Sequence, residues 1–272
     1  MSRLLTKIVK IPAVVLAVFL TGMQIAHAGV IEDVQKRGKL IVGLSTFVPW
    51  AMRAKNGDLI GFEIDVANQL AADMGVEVEF QPTAFDGIIP ALLSKKFDMI
   101  VTGMALKPKR NLSVNFTNPY AYLKVGMAAN KAKAEKDGLK TLEDWNSSNV
   151  ILTIKRGTAP GETVARLFPK AKLRQFDDDA QALQDVLNGN AHGFLTSEPK
   201  PTNYVLDSPD VLYHPFGIGP WDPTASSIAV RKGDPDALNF LNNWILYRTL
   251  DNWLPKTHDK WFKTRDWQSL IK

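Results

Sequence analysis

The chain has 272 residues, 45% hydrophobic and 22% charged, a globular composition that excludes a disordered or collagen-like polypeptide. It contains no cysteine, which excludes a disulfide scaffold, a thiolate metal site, a cysteine nucleophile and a lipid-anchored lipoprotein. The formal charge is +5, and only one strongly apolar stretch occurs, near the N-terminus, so a polytopic membrane protein is also excluded.

That stretch opens the chain. Arg3, Lys7 and Lys10 precede an apolar run over residues 11–20, and Ala26-His27-Ala28 follows as a small-x-small site. Charged, apolar and small segments in this order predict a secretory signal cleaved after Ala28. The run is about half of the ~20 residues a bilayer-spanning helix needs, which disfavours an anchor. Loss of its three basic residues lowers the formal charge from +5 to +2, so the basic balance belongs partly to the signal and nucleic acid is not an expected partner. A cysteine-free exported chain points to the periplasm of a Gram-negative bacterium.

Residues 40–44 read as a buried strand. Phe62, Val66, Leu70 and Met74 recur every four residues, one face of a helix that Gly75 is placed to end. Val76, Val78 and Phe80 alternate with Glu77 and Glu79 at strand period. Ile88, Ile89, Leu92 and Leu93 form a second helical stripe, and residues 99–101 a third strand. This is β-α-β-α-β, the order of a parallel sheet covered by helices.

The order recurs downstream. Residues 150–154, 173–176 and 193–196 read as strands. Between them lie a helix over 160–167, with Pro160 at its start, and one using Leu183, Val186 and Leu187, with N-caps on offer at 177–179. The extended stretch 120–130 joins the two units. A last strand at 227–230 precedes a helix capped by Asp234-Pro235 that buries Leu238, Leu241, Trp244 and Ile245, and a short helix ends near Trp261-Phe262. The expected fold class is α/β, two lobes each built on a mostly parallel sheet. If the tail returns to the first lobe, the chain crosses twice and makes a two-strand hinge. The expected division is a signal at 1–28, lobe 1 at 29–119, lobe 2 at 120–225, and a return to lobe 1 at 226–272.

Ligands of open α/β sheets bind beyond the carboxyl ends of the strands, where helix N-termini favour anions. Four segments fall at such ends. In 45–50, Phe47 and Trp50 are candidates for an aromatic wall, with at least one of them expected in the core. In 83–86, Phe85 is wall or core. In 102–110, Gly103 allows close backbone approach and Arg110 can grip a carboxylate with two parallel bonds. In 155–160, Thr158 either caps the following helix or offers its hydroxyl and N–H to an anion. There is no Cys, no closely spaced His pair and no calcium-loop pattern, so neither a metal nor another cofactor is expected.

At these segments the chain resembles the polar amino-acid-binding proteins of ABC importers, the two-lobed receptors of solute-binding family 3. Five stretches carry the resemblance in the family's order: Gly61-Phe62-Glu63-Ile64-Asp65-Val66-Ala67, 85–92, Gly103-Met104 with Pro108-Lys109-Arg110, Phe116-Thr117-Asn118-Pro119-Tyr120, and 228–235. The resemblance implies the type II periplasmic-binding-protein fold, a small polar amino-acid-like solute as ligand, an inner-membrane permease as partner, and a monomer. It implies that Arg110 and Thr158 hold the ligand carboxylate, that the backbone at Gly103 and Ala105 contacts the ligand amine and carboxylate, and that Phe47 and Trp50 stack on its side chain.

Three departures stand out. Ala105 replaces the usual hydroxyl residue. Ala51 and Ser45-Thr46 lack the acids that would partner a basic side chain, which weighs against a basic ligand. Ser197 stands where the family pattern has the Asp that binds the α-ammonium, and Glu198 follows it. Either Glu198 reaches the cleft through a local kink, or the ligand lacks an ordinary α-ammonium. The expected function is capture by hinged closure and delivery to the permease, without catalytic residues. The alternatives are a periplasmic enzyme on this fold, as in cyclohexadienyl dehydratases, and a ligand-loaded partner of a sensor or chemoreceptor.

Overall fold

The computed structural model describes residues 29–271. The expected signal and its cleavage site lie outside them. Thirteen strands follow in chain order. They are β1 (Lys39–Leu44), β2 (Met52–Arg53), β3 (Leu59–Ile60), β4 (Glu77–Pro82), β5 (Met99–Ile100), β6 (Asn115–Phe116) and β7 (Ala121–Asn130). Then come β8 (Ile151–Lys155), β9 (Lys172–Phe176), β10 (Gly193–Ser197), β11 (Leu212–Tyr213), β12 (Trp221–Ser226) and β13 (Ala229–Val230).

The strands form two main sheets and a small hairpin of β2 and β3. One sheet has the order β4-β1-β5-β13-β6, and the other β11-β7-β10-β8-β9, with β12 beside β7. The chain therefore passes between sheets twice, from β6 to β7 and from β12 back to β13. This is the two-lobed fold with a two-strand hinge. At the hinge β7 and β12 pair antiparallel, Ala121 opposite Ser226.

Each sheet holds a parallel core, β4-β1-β5 in the first and β10-β8-β9 in the second. The expectation of mostly parallel sheets needs correction. In each lobe the first strand after a crossing runs against its neighbours: β13 pairs antiparallel with β5 and β6, and β7 with β10, β11 and β12. A strand that enters from the hinge runs from the cleft side inward, opposite to strands whose carboxyl ends face the cleft.

The local reasons are those of the residue pattern. β1 buries Leu40, Val42 and Leu44 completely, as a central strand must. The helix Phe62–Asp73 lays Phe62, Val66 and Leu70 on it. In the second lobe, Asp178 accepts the Gln181 N–H (2.8 Å) and caps the helix Asp179–Leu187. In the tail, Asp234 accepts from Ala237 N–H (2.8 Å) and from Val30 N–H (2.6 Å), joining the helix Pro235–Leu250 to the first helix, Val30–Arg37. That long helix buries Leu241, Trp244 and Ile245, while Leu238 is only partly covered. The helix Trp253–Phe262 brings Phe262 edge-on to Trp50 and Phe62. Residues after the second crossing thus complete the core of the first lobe. Among the described residues, no helix is long and apolar enough to cross a membrane.

Candidate functional site

The carboxyl ends of β1, β5, β8 and β10 face one another across the hinge and enclose a cavity. The first lobe contributes Phe47, Phe85, Thr102, Gly103, Ala105 and Arg110. The second contributes Lys155, Thr158, Ala159, Pro160, Thr196 and Ser197, and Leu123 of β7 closes the hinge side.

Two loops of the first lobe are held by side chains beneath them. The Thr102 hydroxyl accepts from Ser45 N–H (2.8 Å) and donates to Ser45 carbonyl (3.1 Å), tying the end of β5 to the end of β1. Gly103 sits at φ +48, a left-handed conformation, and a Cβ there would lie 3.1 Å from the Trp50 ring. Its N–H donates to Glu63 Oε1 (2.6 Å). The Glu63 carboxylate also accepts from the Tyr120 hydroxyl, 2.7 Å and 2.6 Å from its two oxygens. Burial pushes the Glu63 carboxyl up to about 7, against the opposing pull of the Tyr120 and Gly103 hydrogen bonds. Burial and the neighbouring Glu63 raise the Tyr120 phenol well above its ordinary range.

Arg110 lies in the one-turn helix Pro108–Asn111. Its Nη1 donates to Ala105 carbonyl (2.8 Å) and its Nη2 to Gly157 carbonyl in the other lobe (3.0 Å). The guanidinium stands 5.3 Å from the Phe85 ring centroid, a cation–π contact. Burial lowers its pKa, but a guanidinium stays charged in proteins. Lys155, the last residue of β8, reaches across to the first lobe, donating to Ser45 Oγ (3.1 Å) and Thr46 carbonyl (2.9 Å). It is only 5% exposed, and burial lowers its pKa against the attraction of Asp179, Asp178 and Asp86. An ion pair of Lys107 with Glu162 adds a third contact between lobes.

Most of the candidate residues are brought together here: Phe47, Phe85, Gly103, Ala105, Arg110, Thr158 and Ser197 line the one cavity. Thr158 does not cap its helix. Ala159 is the N-cap of Pro160–Leu167, and the Thr158 hydroxyl donates to Lys155 carbonyl (2.6 Å). Two candidates lie elsewhere. Trp50 is 1% exposed, buried in the core under Gly103 with its ring against Phe62 and Phe262. Of the aromatic pair, Phe47 faces the cavity and Trp50 is its support. Glu198 turns away from the cavity. Its carboxylate accepts from Thr202 Oγ1 (2.8 Å) and Gly219 N–H (3.1 Å) and lines a separate recess beside Tyr122, His258 and Phe262. Ser197 is the last residue of β10 and lines the cavity, whereas Glu198 lies one residue past the strand end and is held outside it.

Comparison with known proteins agrees with this architecture. Residues 40–264 match the model of the bacterial extracellular solute-binding proteins, family 3. The chain belongs to that family. The family 3 protein described here is 29% identical to the L-cystine-binding protein TcyJ of Escherichia coli K12 over 251 residues, 92% of each chain. It is 28% identical over 235 residues to the ABC transporter arginine-binding protein 1 of the same strain, covering 82% of this chain and 90% of that one. Among solved structures, it is similar to an ancestral amino acid-binding protein described as a precursor of cyclohexadienyl dehydratase. There the TM-score is 0.78 and the identity 36%, over 86% of this chain and 100% of that one. It is equally similar in shape to a putative ABC-transporter binding component from Wolinella succinogenes complexed with lysine. That match has TM-score 0.78 and 34% identity over 86% and 99% of the two chains.

Lys155, Thr102, Leu123 and Thr196 were not singled out by residue pattern. Lys155, Thr102 and Thr196 share one signal, their position at or next to the carboxyl end of a cleft-facing strand. Lys200, whose ammonium lies 3.9 Å from the Phe47 ring centroid and pairs with Asp179, has no local signal, because both partners are remote in sequence. No group of three or more His, Cys, Asp or Glu side chains that could hold a metal occurs among the described residues.

Proposed function

We propose that this protein is the periplasmic substrate-binding component of an ABC importer. It captures an amino acid or amino-acid-like polar solute between its lobes and delivers it to an inner-membrane permease. The observation that carries this reading is the cavity between the lobes with Arg110 at its wall. A buried guanidinium with N–H groups to spare is built for a carboxylate. The Thr158 turn lies opposite, on the second lobe. Ligand contacts to both lobes stabilise the closed arrangement, the differential affinity any ligand-driven closure requires. Lobe 1 comprises 29–119 and 226–272, and lobe 2 120–225. The chain is exported, cleaved after Ala28, and works as a monomer. The names of the relatives that bind cystine or arginine support an amino-acid-like solute.

The likeness to a dehydratase precursor favours a second reading, an enzyme on the same fold. Proton transfer needs a positioned acid or base at the substrate. Among the described residues the cavity wall holds no carboxylate and no imidazole, which supports capture over catalysis.

The test uses residues 29–272, unfolded and refolded to strip carried-over ligand. Melting temperature is measured against amino acids, opines, amines and organic acids. A native-state ligand at a hundredfold excess over Kd stabilises by about 2.7 kcal/mol. The expected result is a clear rise with a carboxylate-bearing solute, absent in Arg110→Ala. Turnover of that solute, or no shift with any member of the panel, would contradict the proposal.

A further inference from the structure

The charge of the cavity wall narrows the ligand class. Two cations line it, Arg110 from the first lobe and Lys155 from the second, and neither forms an ion pair among the described residues. Arg110 spends two of its five N–H groups on the carbonyls of Ala105 and Gly157. Lys155 spends two of its three on Ser45 and Thr46. Both keep donors for a ligand. Buried charge without a directly paired counter-charge is costly, so a wall of this kind is completed by an anion.

No carboxylate on the wall offsets a ligand ammonium. The lining residues include no Asp or Glu. Ser197 occupies the cavity-facing position at the end of β10, and the Glu198 carboxylate is spent on Thr202 and Gly219 outside the cavity. Asp179, Asp178 and Asp86 attract Lys155, but none of them lines the cavity or bonds the ammonium, and Asp179 Oδ2 pairs with Lys200. A ligand ammonium would enter beside two like charges with no carboxylate to meet it. Between the cations the wall is apolar: Phe47, Phe85, Leu123 and Pro160.

We infer that the ligand is a short dicarboxylate with a hydrocarbon spacer and no ammonium, one carboxylate meeting Arg110 and the other Lys155. This rests on the cavity being the ligand site of a binding protein, as proposed above.

Isothermal titration of the refolded protein tests it with malonate, succinate and glutarate, with aspartate and glutamate as their amino counterparts, and with alanine, lysine and arginine. The expected result is that one dicarboxylate binds at least tenfold more tightly than the amino acid of equal chain length. Lys155→Met weakens that ligand at least thirtyfold, and Lys155→Arg restores most of the loss, which separates charge from folding. An α-amino acid that binds through Arg110 as tightly as the dicarboxylate overturns the inference and leaves the binding-protein reading intact. So does a dicarboxylate indifferent to Lys155→Met. Heat with no member of the panel overturns the inference, and the binding-protein reading falls with it only if the wider thermal screen is also silent.

Discussion

Arg110 in the first lobe donates to the Gly157 carbonyl in the second across 3.0 Å. The residue best suited to hold a carboxylate is thus also a direct tie between the lobes. In the proposed function, ligand capture and closure act on one side chain. A solute that joins Arg110 while the lobes are together adds its own contacts to this tie. Arg110→Ala should weaken the cognate solute at least a hundredfold, about 3 kcal/mol, the scale of a lost charge-assisted pair. Because its hydrogen bonds go only to backbone carbonyls and its other contact is the Phe85 ring, the melting temperature without ligand should change little. Calorimetric titration and a thermal melt check both halves.

Gly157 makes the closure sterically possible. It sits at φ +73, and a Cβ there would lie 3.1 Å from Asp86 Cβ and 3.2 Å from Asp86 Cα on the facing lobe. Gly157→Ala should cost about 1–2 kcal/mol in backbone strain. It should also hold the lobes apart, so affinity falls by more than the loss in stability accounts for. Comparing the ligand Kd with the unfolding free energy of the variant separates the two effects.

Glu63 makes the protein's stability depend on pH. Its carboxyl is pushed up to about 7 by burial, from an ordinary 4.5. The folded protein therefore holds this proton over a range in which the unfolded chain has lost it. The associated stability is fully present below about 4.5 and is lost as pH rises through about 7. Its size is roughly 3 kcal/mol at one pKa unit per 1.36 kcal/mol. Asp73 and Asp137 are held below their ordinary range and slope the other way in acid, so the test is a difference. Denaturant melts from pH 4 to 8 should show wild type losing stability relative to Glu63→Gln. Parallel profiles would rule out a raised Glu63.

Glu198 gives a prediction of no effect. Its carboxylate is directed to Thr202 and Gly219, outside the cavity. Glu198→Gln should leave the Kd of the cognate solute within about twofold, well under the 1.4 kcal/mol of a tenfold change. A tenfold loss would mean that Glu198 reaches the ligand after all.

Short-range pattern made much of this molecule legible. The strand and helix periods between Leu40 and Val101 depend on neighbours a few residues apart, and the structure has those elements. The caps at Asp178 and Asp234 work the same way. Pairing across long separations was less visible. That β7 and β12 run antiparallel at the hinge follows from contacts a hundred residues apart, as does the mixed character of both sheets. At the site, strand-end position picked out Gly103 and Arg110, and the family resemblance picked out Ser197. It could not tell Phe47 from Trp50, because which ring faces the cavity is decided by Gly103 and by Phe262 of the tail. Lys200 was invisible because its partner Asp179 and the Phe47 ring come from separate segments.

The central claim is that two lobes close around a solute gripped by Arg110. Small-angle X-ray scattering of the refolded, signal-free protein, titrated with the solute found by the thermal screen, tests it most directly. The account predicts a radius of gyration that falls with saturation in the wild type and stays constant in Arg110→Ala at the same solute concentration. A wild-type profile unchanged by a bound solute, or an Arg110→Ala protein that compacts equally at equal concentration, would contradict it.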